Sequence, residues 1–253
     1  MATDHAIGID IGGTGIKGAV VDLGTGELVS ERLKVKTPEG GRPKDMLKAT
    51  EELVDQIDAQ LSGSEKLPLG VCFPAIVKRG YTLSAANISD EWIGLQAEDL
   101  FEQALGRAIH FNNDADAAGF AEVRYGAAAG VDGLVILTTL GTGIGSALIY
   151  DGVLVPNTEL GHLEIDGHDA EKKAAYAAME RESLSWEKWA KRLQRYYSFV
   201  EFLFTPDLFI VGGGVSKHHE EFLPLLDLAT PIVPATFRNN AGLLGAAALA
   251  ARW

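Results

Sequence analysis

Cysteine is almost missing from this chain: a single residue, Cys72, among 253. No disulfide within the chain is possible, which excludes a small fold stapled by bridges. Cys72 sits in the apolar run Leu69-Gly70-Val71-Cys72-Phe73, where it reads as a small buried hydrophobe rather than a reactive thiol. Cations are scarce too: 22 Lys and Arg stand against 35 Asp and Glu, a formal net charge of -13. Nonspecific binding to nucleic acid needs a basic surface that displaces counterions, so nucleic acid is not an expected partner. The same balance opposes any polyanion unless basic groups or metal ions gather locally. Apolar residues make up 47% of the chain, yet no run of 18 occurs, so no membrane span and no membrane partner are expected. The start Met1-Ala2-Thr3-Asp4-His5 lacks the basic and apolar regions of a secretory signal, and a cytoplasmic location is expected.

Glycine is abundant, and its placement carries the chemistry. Ile7-Gly8-Ile9 leads into Asp10-Ile11-Gly12-Gly13-Thr14-Gly15-Ile16-Lys17, and Ala19-Val20-Val21 follows, a strand, tight turn and strand. Glycines at 12, 13 and 15 leave the backbone open to a ligand, and N–H groups in such a turn can hold phosphate oxygens. Thr14 adds a hydroxyl, Lys17 a point positive charge, and Asp10 a carboxylate able to hold Mg²⁺ directly or through water. A P-loop is excluded, because GxxxxGK[ST] must open a helix and this segment continues as a strand. A second hairpin repeats the pattern. Leu134–Leu140 is apolar and strand-like, Gly141-Thr142-Gly143-Ile144-Gly145 follows, and Ala147-Leu148-Ile149-Tyr150 is again a strand. A third cluster, Gly212-Gly213-Gly214, closes the strand 208–211. Two such hairpins in two halves of one chain point to a duplicated domain with a phosphoryl donor between the halves.

These motifs resemble the ROK family of sugar kinases: DIGGTGIKGAVVD at 10–22, NNDADAAGFAE at 112–122, LGTGIGSALI at 140–149, ELGH at 159–162 and IVGGG at 210–214. AANISDEWIG at 85–94, PNTELGHLEI at 156–165 and RNNAGLLGAAALA at 238–250 are similar to the branch of the family that uses polyphosphate. The resemblance implies an α/β protein of actin-like, ribonuclease H-like ATPase fold, with two domains around a cleft. It implies phosphoryl transfer from polyphosphate or ATP to the 6-hydroxyl of glucose, with mannose as a further acceptor, and a homodimer. The alternatives are a strictly ATP-dependent glucokinase, an N-acylhexosamine kinase, and a noncatalytic sugar sensor or regulator. Regulators of the family carry a DNA-binding module ahead of the kinase-like body, and the first strand here starts within a few residues of Met1, leaving that module no room.

The resemblance also assigns roles. A kinase for an alcohol needs a carboxylate that accepts the hydroxyl proton, and Asp114, between strand 108–111 and helix 115–125, takes that part. Helix N-cap is the plain reading of the same position, and Asp116 is its rival, further into the helix. Asn87 and Asn113 would hydrogen-bond the sugar, as would Glu159, His162 and Glu171; Trp92 would either pack or support the sugar. Gly12, Gly13, Thr14, Lys17, Thr142, Gly143, Gly213 and Gly214 would steady phosphates, with Asp10 orienting Mg²⁺. Family members commonly carry a cysteine-rich zinc motif just after the Glu-x-x-His, but 163–182 contains no cysteine, and His168 and Asp169 do not replace three thiolates. No structural zinc is expected.

The remaining elements follow from periodicity. Strands are expected at 6–11, 17–22, 27–36 and 68–73, and helices at 44–61, 95–105, 184–204, 217–228 and 240–251. In 184–204, Trp186, Trp189, Leu193, Tyr197, Val200 and Phe204 recur every three or four residues, a stripe for the core or a dimer interface. Its other face carries Lys188, Lys191, Arg192 and Arg195, the densest basic run of the chain and a candidate to hold long polyphosphate. Lys172-Lys173 reads as a solvated helix start. The expected domains are a small one of 1–111 completed by 238–253, and a large one of 112–237.

Overall fold

The computed structural model describes residues 4–251. Two compact units form: the first runs to Ala121 and resumes at Asn240, and the second spans Glu122–Asn239.

In the first unit, β1 (His5–Ile11), β2 (Gly15–Asp22) and β3 (Leu33–Lys36) make an antiparallel meander. Helix α1 (Pro43–Asp58) starts with proline at its first turn, where the missing N–H costs nothing. β4 (Leu69–Phe73) follows, then the short hairpin β5 (Val77–Lys78) and β6 (Tyr81–Thr82), α2 (Ala97–Leu105), β7 (His110–Asn113) and α3 (Asp114–Tyr125). The sheet order is β3-β2-β1-β4-β7, with β4 and β7 parallel to β1. Alternation in β1 sends Ile7, Ile9 and Ile11 into a core with Leu53, Val54 and Ile57 of α1 and Phe101 of α2. Trp92 is fully buried there, stacked on Phe101 at 5.7 Å, and donates its indole N–H to the Gly41 carbonyl at 2.9 Å. Its role is packing.

The second unit repeats the plan. β8 (Leu134–Leu140), β9 (Ile144–Tyr150) and β10 (Val153–Val155) are antiparallel. After the hairpin β11 (Glu164–Ile165) and β12 (His168–Asp169) come α4 (Glu171–Ala174), α5 (Tyr176–Arg181), α6 (Trp186–Phe204), β13 (Leu208–Gly212) and β14 (Ile232–Pro234). The order β10-β9-β8-β13-β14, with β13 and β14 parallel to β8, matches the first sheet strand for strand. Ser185 caps α6, and Trp189, Leu193, Tyr197 and Val200 are buried in this unit's core. The aromatic stripe is therefore core. Among the described residues no helix is long and apolar enough to cross a membrane.

The chain ends with α7 (Ala241–Ala250), back in the first unit and buried at every residue. It lies on the face of the sheet opposite α1, and glycine makes the contact possible. A Cβ at Gly8 would fall 2.0 Å from the Leu243 carbonyl oxygen, and one at Gly70 1.9 Å from that of Ala246.

Three expectations need correction. The strand at 27–36 shrinks to Leu33–Lys36, because the N–H of Val20 turns to the Ser30 hydroxyl at 2.9 Å and the ladder breaks. The helix at 217–228 is replaced by 3₁₀ turns at Gly214–Glu221 and Leu223–Leu225; His218 is non-helical and Pro224 has no N–H to continue a helix. The division falls at 121/122 and 239/240 rather than 111/112 and 237/238, since β7 pairs with β4 through Cys72–Asn112 and Phe73–Asn113. The first unit is also the longer of the two, not the smaller.

Candidate active site

In the first unit, β1 turns into β2 through Gly12, Gly13 and Thr14, closed by the Gly12 N–H to the Gly15 carbonyl at 3.1 Å. Gly13 and Thr14 are exposed at the tip. Among the described residues their N–H groups have no hydrogen-bond partner, as a phosphate cradle requires. Asp10 and Lys17 are paired in the β1–β2 register and share a face. The Lys17 Nζ lies 2.9 Å from the Asp10 Oδ2, an ion pair that the separate roles given to the two residues did not include. The Cys72 thiol faces the other oxygen, Oδ1, at 3.7 Å. Burial pushes the Cys72 pKa well up, and the nearby charges of Asp10 and Asp114 push it further, so the thiol is inert. A carboxylate with one oxygen on a lysine offers a cation a single ligand. That suits Mg²⁺, which keeps most of its water and takes few protein ligands.

The registers Asp10–Cys72 and Cys72–Asn112 align the carboxyl ends of β1, β4 and β7, where α/β folds present their ligands. Asp114 opens α3 at this edge, half-buried, its Oδ1 accepting the Ala115 N–H at 2.8 Å. The capping role falls to its neighbour. The Oδ1 of Asn113 accepts from the N–H groups of Ala115 at 2.8 Å and Asp116 at 3.0 Å, and its Nδ2 donates to the Ala75 carbonyl at 3.0 Å. Its oxygen is therefore used up, and one amide N–H remains for a sugar hydroxyl. Asn87 stands in a left-handed conformation against the glycine turn: a Cβ at Gly13 would meet its Cβ and carbonyl oxygen at 2.9 Å. A cavity of about 610 Å³ opens beside them, lined by Gly13, Lys36, Thr37, Gly41 and Asn87 among others.

In the second unit, the turn Gly141–Gly143 is closed by the Gly141 N–H to the Gly143 carbonyl at 3.0 Å, with Thr142 exposed. Because β13 is parallel to β8 with Gly212 opposite Thr139, Gly213 and Gly214 emerge at the same end of the sheet. Gly213 has a φ of 81° and packs so closely on Leu140 that a Cβ would sit 2.4 Å from its carbonyl oxygen. Thus Thr142, Gly143, Gly213 and Gly214 are brought together. Glu171 opens α4 and reaches over this turn, its Oε2 accepting the Ile144 N–H at 3.1 Å and filling the space a Gly143 side chain would need.

Glu159 precedes the 3₁₀ turn Leu160–His162 and His162 ends it, both in electrostatic reach of Glu171. Burial raises the Glu159 pKa, with Glu171 adding to the shift and His162 opposing it. The His162 Nδ1 is 3.0 Å from the Asp169 Oδ2, and this hydrogen bond is the main cause that raises the His162 pKa. Sequence reasoning names Asp169 only as no replacement for a zinc thiolate; its contact with His162 is set by the fold. Ligand atoms of His162, Asp169 and Glu171 lie within 4.8 Å of one another, a spacing that could hold a cation without any thiolate.

The basic face of α6 is partly neutralised. Arg195 makes a bidentate pair with Asp166 at 2.9 and 2.7 Å, and Arg192 binds Glu182 and the Lys173 carbonyl. The guanidinium of Arg192 holds the Glu182 pKa down at about 2.

Two sheets of one order, each headed by a glycine hairpin, define the class of the actin-like ATPase fold, and solved sugar kinases share it. Residues 6–175 match the model of the ROK family. The chain is 46% identical over 244 residues to a polyphosphate glucokinase of Mycobacterium tuberculosis (strain CDC 1551 / Oshkosh), covering 96% of this chain and 90% of that protein. The crystal structure of an inorganic polyphosphate/ATP-glucomannokinase from Arthrobacter sp. strain KM superposes with a TM-score of 0.94 at 54% identity, covering 99% of each chain. A ROK family glucokinase from Streptomyces griseus, in complex with glucose and AMPPNP, gives a TM-score of 0.80 at 26% identity, covering 98% of this chain and 100% of that one. The chain belongs to the ROK family.

Proposed function

We propose that this protein is a glucokinase that transfers a phosphoryl group from inorganic polyphosphate or ATP to the 6-hydroxyl of glucose. The observation that carries the reading is the near-complete match to polyphosphate-using sugar kinases, at 46% identity to the M. tuberculosis enzyme and 54% to the Arthrobacter one. Mannose is proposed as a second acceptor, on the strength of the Arthrobacter enzyme's name.

Asp114 is the base. Held at the start of α3 by the Asn113 cap, it accepts the proton of the hydroxyl as phosphoryl transfer proceeds. Asn113 positions Asp114 and donates its remaining N–H to the sugar. Asn87, Glu159, His162 and Glu171 bind hydroxyls, with the His162 ring held by its hydrogen bond to Asp169. The open N–H groups of the glycine turns, with Thr14, Lys17 and Thr142, hold phosphate oxygens in fixed directions, so little reorganisation accompanies the reaction. Mg²⁺, oriented by Asp10 directly or through water, would neutralise donor charge. Steady-state kinetics crossing ATP and polyphosphate against glucose, mannose and N-acetylglucosamine test the reading. Glucose 6-phosphate should form with both donors; turnover of N-acetylglucosamine in place of glucose, or of no sugar, overturns it.

A further inference from the structure

Strand β3, with Arg32 just before it, carries a cationic row. In Arg32-Leu33-Lys34-Val35-Lys36, Leu33 and Val35 pack on the core of the first unit while Arg32, Lys34 and Lys36 are exposed. The β2–β3 register pairs Lys17 with Lys34 and Gly15 with Lys36, and residues directly opposite share a face of the sheet. Lys17, Lys34 and Lys36 therefore stand on one side, beside the glycine hairpin. Lys34 lies across that hairpin: a Cβ at Gly15 would be 2.6 Å from its Cε and 3.5 Å from its Nζ. Lys36 lines the 610 Å³ cavity together with Gly13 and Asn87. Arg32 donates to the Asn240 Oδ1 at 2.6 Å, next to the start of α7. Lys17 is matched by Asp10, but among the described residues Lys34 and Lys36 form no ion pair. Two lysines without a carboxylate thus adjoin an open phosphate cradle in a chain of net charge -13.

We propose that Arg32, Lys34 and Lys36 form a subsite for the phosphates of inorganic polyphosphate beyond the one being transferred. The subsite rests on the polyphosphate reading above and makes β3 a determinant of donor choice. Strand geometry spaces alternate residues about 7 Å apart, so the row tracks a linear polyanion running away from the hairpin. Lysine suits such a row, because a mobile point charge tolerates the changing positions of successive phosphates.

The test is the double variant K34Q/K36Q, assayed with long-chain polyphosphate, tripolyphosphate and ATP at two salt concentrations. Exposed charge contacts are weak singly and screened by salt. The KM for long-chain polyphosphate should rise about tenfold at low salt and that for ATP by less than about twofold, with the long-chain effect shrinking as salt rises. K34R/K36R, which keeps both charges, should keep the long-chain preference. Equal shifts for ATP and polyphosphate, or no shift for polyphosphate in a wild type that turns it over, would overturn the subsite alone. A wild type that phosphorylates glucose with ATP but never with polyphosphate would overturn the donor reading and the subsite with it.

Discussion

Replacing Asp114 by Asn separates chemistry from folding. Asn has the same shape, and its side-chain oxygen can still accept the Ala115 N–H that Asp114 Oδ1 takes at 2.8 Å. The helix keeps its cap, because Asn113 supplies it. What is lost for stability is a negative charge in the first turn of α3, about 0.3–1 kcal/mol from the helix dipole. For a chain of this size that lowers Tm by less than about 4 °C. Lost general-base catalysis is larger, about 10²–10⁴-fold in turnover, equivalent to about 2.7–5.4 kcal/mol of transition-state stabilisation. The two effects are therefore distinguishable. Turnover is followed as glucose 6-phosphate formation, glucose affinity by titration calorimetry, and stability by thermal unfolding. The expected D114N protein is folded, binds glucose within a few-fold of wild type, and is nearly inactive. Near wild-type turnover would remove Asp114 as the base, and turnover lost only in step with glucose affinity would make it a sugar ligand.

Asn113→Ala removes the cap of α3 and the bond to the Ala75 carbonyl, and should cost about 1–2 kcal/mol of stability besides turnover; an unchanged Tm would show that the cap carries no weight. Gly70→Ala forces a Cβ to within 1.9 Å of the Ala246 carbonyl oxygen, and should destabilise by about 1–3 kcal/mol or more, read by denaturant unfolding, while a neutral result would mean that α7 is not tightly docked. In Asp169→Asn the main cause that raises the His162 pKa disappears, so its NMR titration should move down towards the ordinary histidine value. The sign follows from linkage: a raised folded pKa adds stability below about pH 6.5 that is lost as pH rises through the folded value, so D169N should flatten this fall; an unmoved titration refutes the pairing. Turnover should stop in EDTA and return with Mg²⁺, and elemental analysis should find no stoichiometric zinc; one tightly held zinc per chain would move His162, Asp169 and Glu171 from sugar binding to metal.

What the sequence makes legible is local. Glycine at 12, 13 and 15, or at 141 and 143, between apolar runs admits little other than a hairpin, and both hairpins appear as expected. The helical stripe from Trp189 to Val200 likewise declares its buried face through spacing alone. Less legible are features set by partners distant in sequence. Nothing in the order of residues says that Lys17 rests on Asp10, that Asp169 reaches His162, or that Asn113 spends its oxygen on a helix end. A cap is the plain alternative for Asp114 in the sequence, and the structure puts the cap one residue earlier, because Asp and Asn are equally good caps and only the backbone path chooses between them. Gly213 and Pro224 are visible as breakers, yet the helical run at 217–228 outweighs them in the sequence, and short 3₁₀ turns result in the structure.

The cationic surfaces show why counting charges along a chain misleads. The run on α6 holds more cations than the stretch 32–36, four against three, which makes it the obvious place for a polyanion. Its arginines, though, already face acids. A phosphate arriving at Arg195 must displace Asp166 from a two-pronged contact, and one arriving at Arg192 must displace Glu182. Each displacement returns a carboxylate to the vicinity of the incoming polyanion, so the gain from the new contact is offset by repulsion from the old partner. On β3 the cost is absent. Lys34 and Lys36 have no carboxylate to release, and the alternation of the strand holds them on the hairpin's side of the sheet while Leu33 and Val35 anchor it from beneath. Lys188 and Lys191 of α6 form no ion pair among the described residues either, so what sets β3 apart is that its unmatched lysines stand beside the glycine hairpin, not how many cations stand together in the sequence.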